Sequence, residues 1–405
     1  MKYSTDDVMK YIEEEDVKFI RLAFCDAFGV QKNISVVPGE MKKAFAGGAP
    51  FNARKIAGFG DCPYGSLYLK PDPETLAILP WRPDSGRVLR MFCDVFTPEG
   101  EEYLPVPRAI LRRAVKEAMD EGIEFRFGTE TEFYLFLKDD RGNPTKIPYD
   151  HAGYMDIAPL DKCENVRREI ALTIERMGLI PERSHHEKGP GQNEISFHYA
   201  SPLKAADQMT TFRMVVSILA DQYGLVSDFS PRPLPDQPGN GYHINLYAVD
   251  RDGNDVVTKA AAGILERIRD ITLFLNPTEE SYSRLGSSTA PDRVNWSAAG
   301  KSELLHVEPF MGQTKAALRS PDASGNPYLV YALLIHAGLS GIRNHLDLSG
   351  IQEAETTMLP ASFPEAAECA LKSSFVREIV PEGILREYVS GDRLCREGMT
   401  YTTPY

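Results

Sequence analysis

Acidic side chains recur in this sequence at spacings suited to gripping a cation. In Gly128-Thr129-Glu130-Thr131-Glu132-Phe133, an extended backbone puts Glu130 and Glu132 on the same face. Two carboxylates side by side on an otherwise apolar strand are costly unless a cation sits between them; the plainer alternative is a solvated strand face. The run His185-His186-Glu187-Lys188-Gly189-Pro190-Gly191-Gln192-Asn193-Glu194 brings two more carboxylates around a glycine-rich turn. Gly239-Asn240-Gly241-Tyr242-His243-Ile244-Asn245 delivers a histidine from a glycine loop onto a strand. Hard oxygen donors with one imidazole suit Mg2+ or Mn2+ better than zinc. A single histidine is more often structural than ligating. Glu130, Glu132, Glu187, Glu194 and His243 all fall at strand or strand–loop positions, and that grouping favours a metal role. Three cations, Arg284, Lys301 and Arg319, follow later and could clamp a phosphate or a carboxylate. Each taken alone reads more readily as surface charge.

These residues need a scaffold, and its elements are legible. Thr5-Asp6-Asp7 offers capping oxygens for a helix over 5–15, with Val8, Tyr11 and Ile12 as its apolar stripe. Val17–Phe24 alternates as a strand, turns at Asp26–Gly29, and pairs with GVQKNISVV as a hairpin. Residues 64–80 and 88–97 read as further strands. Pro105-Val106-Pro107 marks a boundary. Beyond it the pattern predicts a helix over 107–121, a strand over 123–138, a helix over 164–178, an extended run over 183–199, a helix over 204–224, a strand over 240–249, and helices over 255–275 and 326–347. The fold class is α+β: a small sheet domain over 1–103, then a larger domain over 104–405 with a mixed, largely antiparallel sheet and surrounding helices. Neither a Walker A motif nor a strand–GxGxxG–helix unit is present, so any nucleotide site is of another kind.

Composition bounds the class. The chain has 405 residues, 42% hydrophobic and 25% charged, enough to bury a large core. Its net charge of -13 argues against nucleic acid or an anionic membrane as partner. No apolar run approaches the roughly 18 residues a membrane span needs. The charged start, MKYSTDDVMKYIEEEDVKFI, lacks a signal-peptide pattern, and the expected location is the cytoplasm. Cys25, Cys62, Cys93, Cys163, Cys369 and Cys395 form no CxxC pair and read as reduced thiols.

In order, GTETEF, HHEKGPGQNEISF, GNGYHINLY, NPTEESYSRL and RSPDASGNPYL resemble the glutamine synthetase family of bacterial and archaeal class I type. VKFIRLAFCDAFGVQKNI and LKPDPETLAILPW are similar to its small N-terminal domain, so the likeness spans nearly the whole chain. The resemblance implies a β-grasp-like N-terminal domain and a catalytic domain with a curved antiparallel sheet. It also implies active sites between neighbouring subunits of a double-ring homo-dodecamer. The implied chemistry has two steps. ATP phosphorylates the γ-carboxylate of glutamate, and ammonia or an amine then attacks the acyl phosphate. By this likeness Glu132, Glu187 and Glu194 would hold one metal, and Glu130 and His243 the other. Arg284 and Arg319 would face substrate carboxylate or phosphate, Lys301 would stand where an arginine meets the transferring phosphate, and Gly239 would touch the amino acid.

The sequence departs from the family pattern near the chemistry. Asn52 replaces an acid in the ammonium-binding segment, and Thr289 replaces a glutamate on the closing flap. Neither supplies a titratable group. Ala317 stands where a third carboxylate of the second metal is expected, with Glu303 or Glu308 as conceivable substitutes. Pro238 aligns with a glutamate-gripping asparagine, and His306 with a nucleotide-side arginine. The expected function is an ATP- and metal-dependent ligase making glutamine or another γ-glutamyl amide. The alternative is a homologue that keeps the scaffold for binding, assembly or regulation.

Overall fold

The structure, a computed structural model, describes residues 3–287, 289–300, 302–310, 312–349 and 357–391. It opens with helix α1 (Thr5–Glu14), whose cap is Ser4 rather than the Thr5–Asp7 oxygens: Ser4 Oγ accepts from Asp7 N while the Asp7 carboxylate accepts from Ser4 N. Strands β1 (Val17–Cys25) and β2 (Gln31–Val36) form the expected hairpin. Helix α2 (Met41–Gly47), β3 (Ala49–Phe51), β4 (Leu67–Pro71), β5 (Ala77–Ile78) and β6 (Arg87–Phe96) complete a six-stranded sheet. The stretch 64–80 is less extended than its sequence suggests. Asp72 caps a 3-10 turn over Pro73–Thr75 by accepting from Glu74 N, and this turn separates β4 from β5.

After helix α3 (Pro107–Asp120) comes the long strand β7 (Glu124–Lys138), followed by β8 (Pro144–Pro148), α4 (Glu164–Arg176), β9 (Pro181–His186), β10 (Gln192–Ala200), α5 (Pro202–Gln222), β11 (Leu225–Asp228) and β12 (Tyr242–Val249). Helices α6 (Val257–Leu275) and α7 (Glu279–Arg284) lead to β13 (Trp296–Ser297), β14 (Leu305–Phe310) and β15 (Gln313–Leu318). Helices α8 (Pro327–Arg343), α9 (Phe363–Lys372), α10 (Ser374–Ile379) and α11 (Glu382–Val389) follow. Among the described residues the second sheet has nine strands, ordered β13-β14-β15-β12-β7-β10-β9, with β11 and β8 also paired to β7, and of these pairings only the short β13–β14 one is parallel.

The two-residue period of β7 explains why this sheet can carry a site. Phe125, Phe127, Phe133 and Leu135 point into the helical core, as do Ile195 and Phe197 of β10 and Tyr242, Ile244 and Leu246 of β12. Their alternates, Glu130, Glu132, Glu194, His243 and Asn245, therefore share the opposite face. Behind the apolar face, Tyr331 of α8 stacks on Phe127 with centroids 4.4 Å apart. Its hydroxyl meets that of Tyr242 at 2.6 Å. Helices α6 and α8 cross closely, since a Cβ on Gly263 would come within 2.2 Å of the Ala337 carbonyl oxygen. Arg108, at the start of α3, links the first sheet to helix α5. It is buried and donates to Asp72 at 2.7 Å, to Asp94 of β6, and to Asp207 of α5 at 3.0 Å.

Candidate active site

Antiparallel register sets the acids in rows. Glu194 lies opposite Glu132 on one side and opposite His185 on the other. Glu130 lies opposite Ser196 and His243. Glu187 joins from the turn after β9, so that donor atoms of His185, Glu187 and Glu194 lie within 4.8 Å of one another. His185 Nε2 is 3.4 Å from Glu194 Oε1, and Nδ1 is 3.6 Å from Glu187 Oε1. Burial, then the neighbouring Glu132 and Glu194 carboxylates, push Glu187 up to about 7. Burial also raises Glu132, with Glu194 adding to the effect. His185 is raised chiefly by its bond to Glu194. Carboxylates crowded this way resist ionising together, and a divalent cation removes the conflict.

Glu132 is aimed by its surroundings. Its Oε2 accepts from Gly241 N at 2.9 Å and from Gln192 Nε2 at 3.0 Å. Gln192 Nε2 also lies 3.2 Å from the Gly239 carbonyl oxygen, linking the two glycine-rich turns. Glu130 meets Arg183 at 3.3 Å, His243 Nδ1 at 3.4 Å and Asn245 Nδ2 at 3.4 Å. Burial works to raise Glu130, but the bonds to His243 and Asn245 outweigh it and hold the carboxyl well below the usual range. The other His243 nitrogen, Nε2, is buried without a partner. A Cβ on Gly241 would meet that nitrogen at 2.8 Å and Glu132 Oε1 at 3.1 Å. The imidazole thus stands between the two acid groups with one nitrogen toward each. An orphaned buried nitrogen, and a cradle kept open only by a missing side chain, fit a metal cation.

The expected cations divide. Arg319 lies among Glu130, Glu132 and Glu194; burial lowers its pKa while these carboxylates act in the opposite sense. Arg284 is almost wholly buried and serves the backbone. Its guanidinium donates to the carbonyls of Ser320 at 2.8 Å, Pro321 at 3.0 Å and Arg319 at 3.3 Å. Gly239 sits where a Cβ would strike the Pro231 carbonyl oxygen at 2.4 Å and Arg284 Cγ at 2.9 Å. Lys301 lies outside the described residues. Among the substituted positions, Ala317 lies between Asn245 and His306 on the neighbouring strands. Thr289 Oγ1 is 3.3 Å from Ser287 Oγ, and the Pro238 carbonyl accepts from the Tyr134 hydroxyl at 2.6 Å. Asn52 precedes the 3-10 turn Ala53–Lys55. Glu308 is paired with Lys315 at 2.7 Å and His306 at 3.1 Å, while Glu303 bonds Asn295 and Ser302.

His185, Arg183, Gln192 and Asn245 belong to this face although their types alone did not single them out. The alternation of β9, β10 and β12 was the available signal. A second buried group, Asp150, Asp161, Cys163 and His186, is closed on itself. His186 Nε2 meets Asp150 at 2.9 Å, His186 Nδ1 meets the Glu187 carbonyl oxygen, and Arg167 neutralises Asp161.

The geometry gathers buried carboxylates and a histidine on one face of a large, largely antiparallel sheet, beside a smaller sheet. Residues 16–98 match the family model for the glutamine synthetase β-grasp domain, and residues 105–397 that for the glutamine synthetase catalytic domain. The chain is 36% identical to the glutamine synthetase of Clostridium saccharobutylicum, covering 96% of this chain and 94% of the relative. It is 37% identical to that of Methanosarcina mazei, covering 98% and 94%. Two solved structures described as "GmaS/ADP complex" and "Apo GmaS without ligand" superpose with a TM-score of 0.84, at 24% and 25% identity, over 96% of this chain and 95% of theirs. The chain belongs to the glutamine synthetase family of ligases. No helix among the described residues is long and apolar enough to cross a membrane.

Proposed function

We propose that the protein is an ATP-dependent carboxylate–amine ligase that joins the γ-carboxylate of glutamate to ammonia or an amine through an acyl phosphate. The observation that carries this reading is the convergence of Glu187 and Glu194 with Glu132 beside them, under Arg319. That arrangement favours catalysis over a scaffold role, because burying mutually repelling carboxylates is costly unless a cation repays it. When bound, ATP and divalent ions supply the phosphoryl group and neutralise its charge.

The chain's own residues do the rest. Glu132, Glu187 and Glu194 hold one Mg2+ or Mn2+ ion, and Glu130 and His243 face the other. Arg319 offers its guanidinium to anionic oxygen at the edge of the acid rows. Arg284 fixes the 319–321 backbone and so sets where Arg319 points. Lys301 is assigned to phosphate, and Gly239 to the rim that admits the amino acid. Asn52 and Thr289 cannot take a proton, so the amine enters as its neutral form or loses its proton to another group. The ADP bound in a solved GmaS structure supports a nucleotide in this fold. The proposed assembly is a homo-oligomer of the family's double-ring type.

The test is ADP release by the full-length protein with glutamate, Mg2+ or Mn2+, and ammonium or a panel of primary amines, with products weighed by mass spectrometry. Amine-dependent ADP matched by a γ-glutamyl amide is expected, and Glu194→Gln should lose at least 100-fold. Protein that binds Mn2+ yet releases no ADP with any amine would refute the reading.

A further inference from the structure

Glu130 and His243 give a second cation two protein donors, whereas Mg2+ or Mn2+ takes about six ligands in all. The sheet register shows which side chains could add a third. Next to His243 along β12, on the same face, is Asn245. It lies opposite Ala317 of β15, whose methyl group offers no donor. Asn245 is only 7% exposed, and its Oδ1 is buried without a partner. Its Nδ2 stands 3.4 Å from Glu130 Oε1, the same distance that separates His243 Nδ1 from Glu130 Oε2. Both spacings are long for hydrogen bonds. The His243–Glu130 spacing approaches the roughly 3 Å between adjacent donors of a cation whose ligands lie about 2.1 Å away, and a half-turn of the Asn245 amide about its last bond would put Oδ1 where Nδ2 stands beside Glu130.

The competing donors are committed or badly placed. Glu308 is held by Lys315 and His306, and Glu303 by Asn295 and Ser302. His306 lies one strand further out, past Ala317, and does not form a close donor group with Glu130 and His243 among the described residues. Ser196, opposite Glu130, also has a buried hydroxyl without a partner, but its single-bond reach keeps that oxygen down against the sheet.

We infer that Asn245 is the third protein ligand of the second cation, binding through its amide oxygen in the space that faces Ala317. The inference rests on the ligase reading above and deepens it. This ion then meets one carboxylate, one imidazole and one neutral amide, against three carboxylates for its neighbour. It is the weaker-held of the two and draws its remaining oxygens from phosphate and water.

The test is a Mn2+ titration of the full-length protein, following free Mn2+ by electron paramagnetic resonance. Two classes of site are expected. Asn245→Ala should raise the dissociation constant of the weaker class at least tenfold and leave the tighter class within twofold. Asn245→Asp, which keeps the shape and adds a charge, should tighten the weaker class, and Ser196→Ala should change neither. A weaker class indifferent to both Asn245 variants overturns the inference, as does its loss in His306→Ala but not in Asn245→Ala. Wild-type protein that binds no Mn2+ at all would refute this inference and the ligase reading together. An intact tight class beside an Asn245-independent weak one refutes this inference alone.

Discussion

Replacing Gly241 by alanine probes the cation cradle with a single methyl group. The new Cβ would meet His243 Nε2 at 2.8 Å and Glu132 Oε1 at 3.1 Å. Restoring ordinary contact, at 3.4 Å or more, pushes the imidazole away by about 0.6 Å. Metal sites tolerate displacements of only about 0.2 Å in ligand distance. Gly241 has no left-handed backbone conformation to defend, so alanine is strained by the space it enters and not by its own φ. His243 cannot swing freely, being only 8% exposed. The expected loss is that of a mispositioned ligand, about 10- to 100-fold in Mn2+ affinity, or about 1.4–2.7 kcal/mol. Crowding against a side chain that cannot yield should also cost the metal-free protein about 1–3 kcal/mol, which leaves it folded. Isothermal titration with Mn2+ and a melting curve on the same sample measure both. Mn2+ affinity within twofold of wild type, in a variant that stays folded, would refute the placing of Glu132 and His243 as cation ligands.

Other expectations follow from the same geometry. Arg284→Lys keeps a charge but cannot reach three carbonyls; it should cost about 2–4 kcal/mol in urea unfolding and lower amine-dependent ADP release. Tyr331→Phe leaves the Tyr242 hydroxyl buried without its 2.6 Å partner, a loss of about 1–3 kcal/mol by the same measurement. Gly341→Ala would put a Cβ 2.2 Å from the Lys259 carbonyl oxygen, and overpacking there should cost about 3 kcal/mol or more, read as a lower melting temperature. The bond from Arg343 depresses the Glu121 carboxyl below its ordinary 4.5. That pairing stabilises the fold above the unfolded value and is lost as pH falls through the folded one. The gap in melting temperature between wild type and Arg343→Met should therefore hold steady above about pH 6 and shrink as pH falls toward about 3.

Much of the site was legible because a strand has a period of two. Glu130 and Glu132 had to share a face whatever the partner strands were, and the glycine-rich turns pointed to where His243 and Glu194 would enter. The register that brings Glu194 opposite Glu132, and His185 opposite Glu194, was not legible, because it depends on pairing between distant segments. Arg284 illustrates a second limit. Its type suggested an anion clamp, but guanidinium donors serve backbone carbonyls equally well, and only burial distinguishes the two uses. At 64–80 alternation suggested continuous strand, yet the local Asp72-Pro73 turn chemistry prevailed. The helices were read well because α6 and α8 carry long apolar runs with plain ends.

Arg108 carries a consequence for dissection of the chain. Its guanidinium has two acidic partners contributed from before Pro105 and one from α5. A fragment beginning at residue 104 would keep the arginine and Asp207 but forfeit Asp72 and Asp94, leaving the guanidinium with one of its three acidic partners on a newly uncovered surface. Such a piece should be recovered as aggregate, whereas co-expression with the missing first hundred residues should return it to solution.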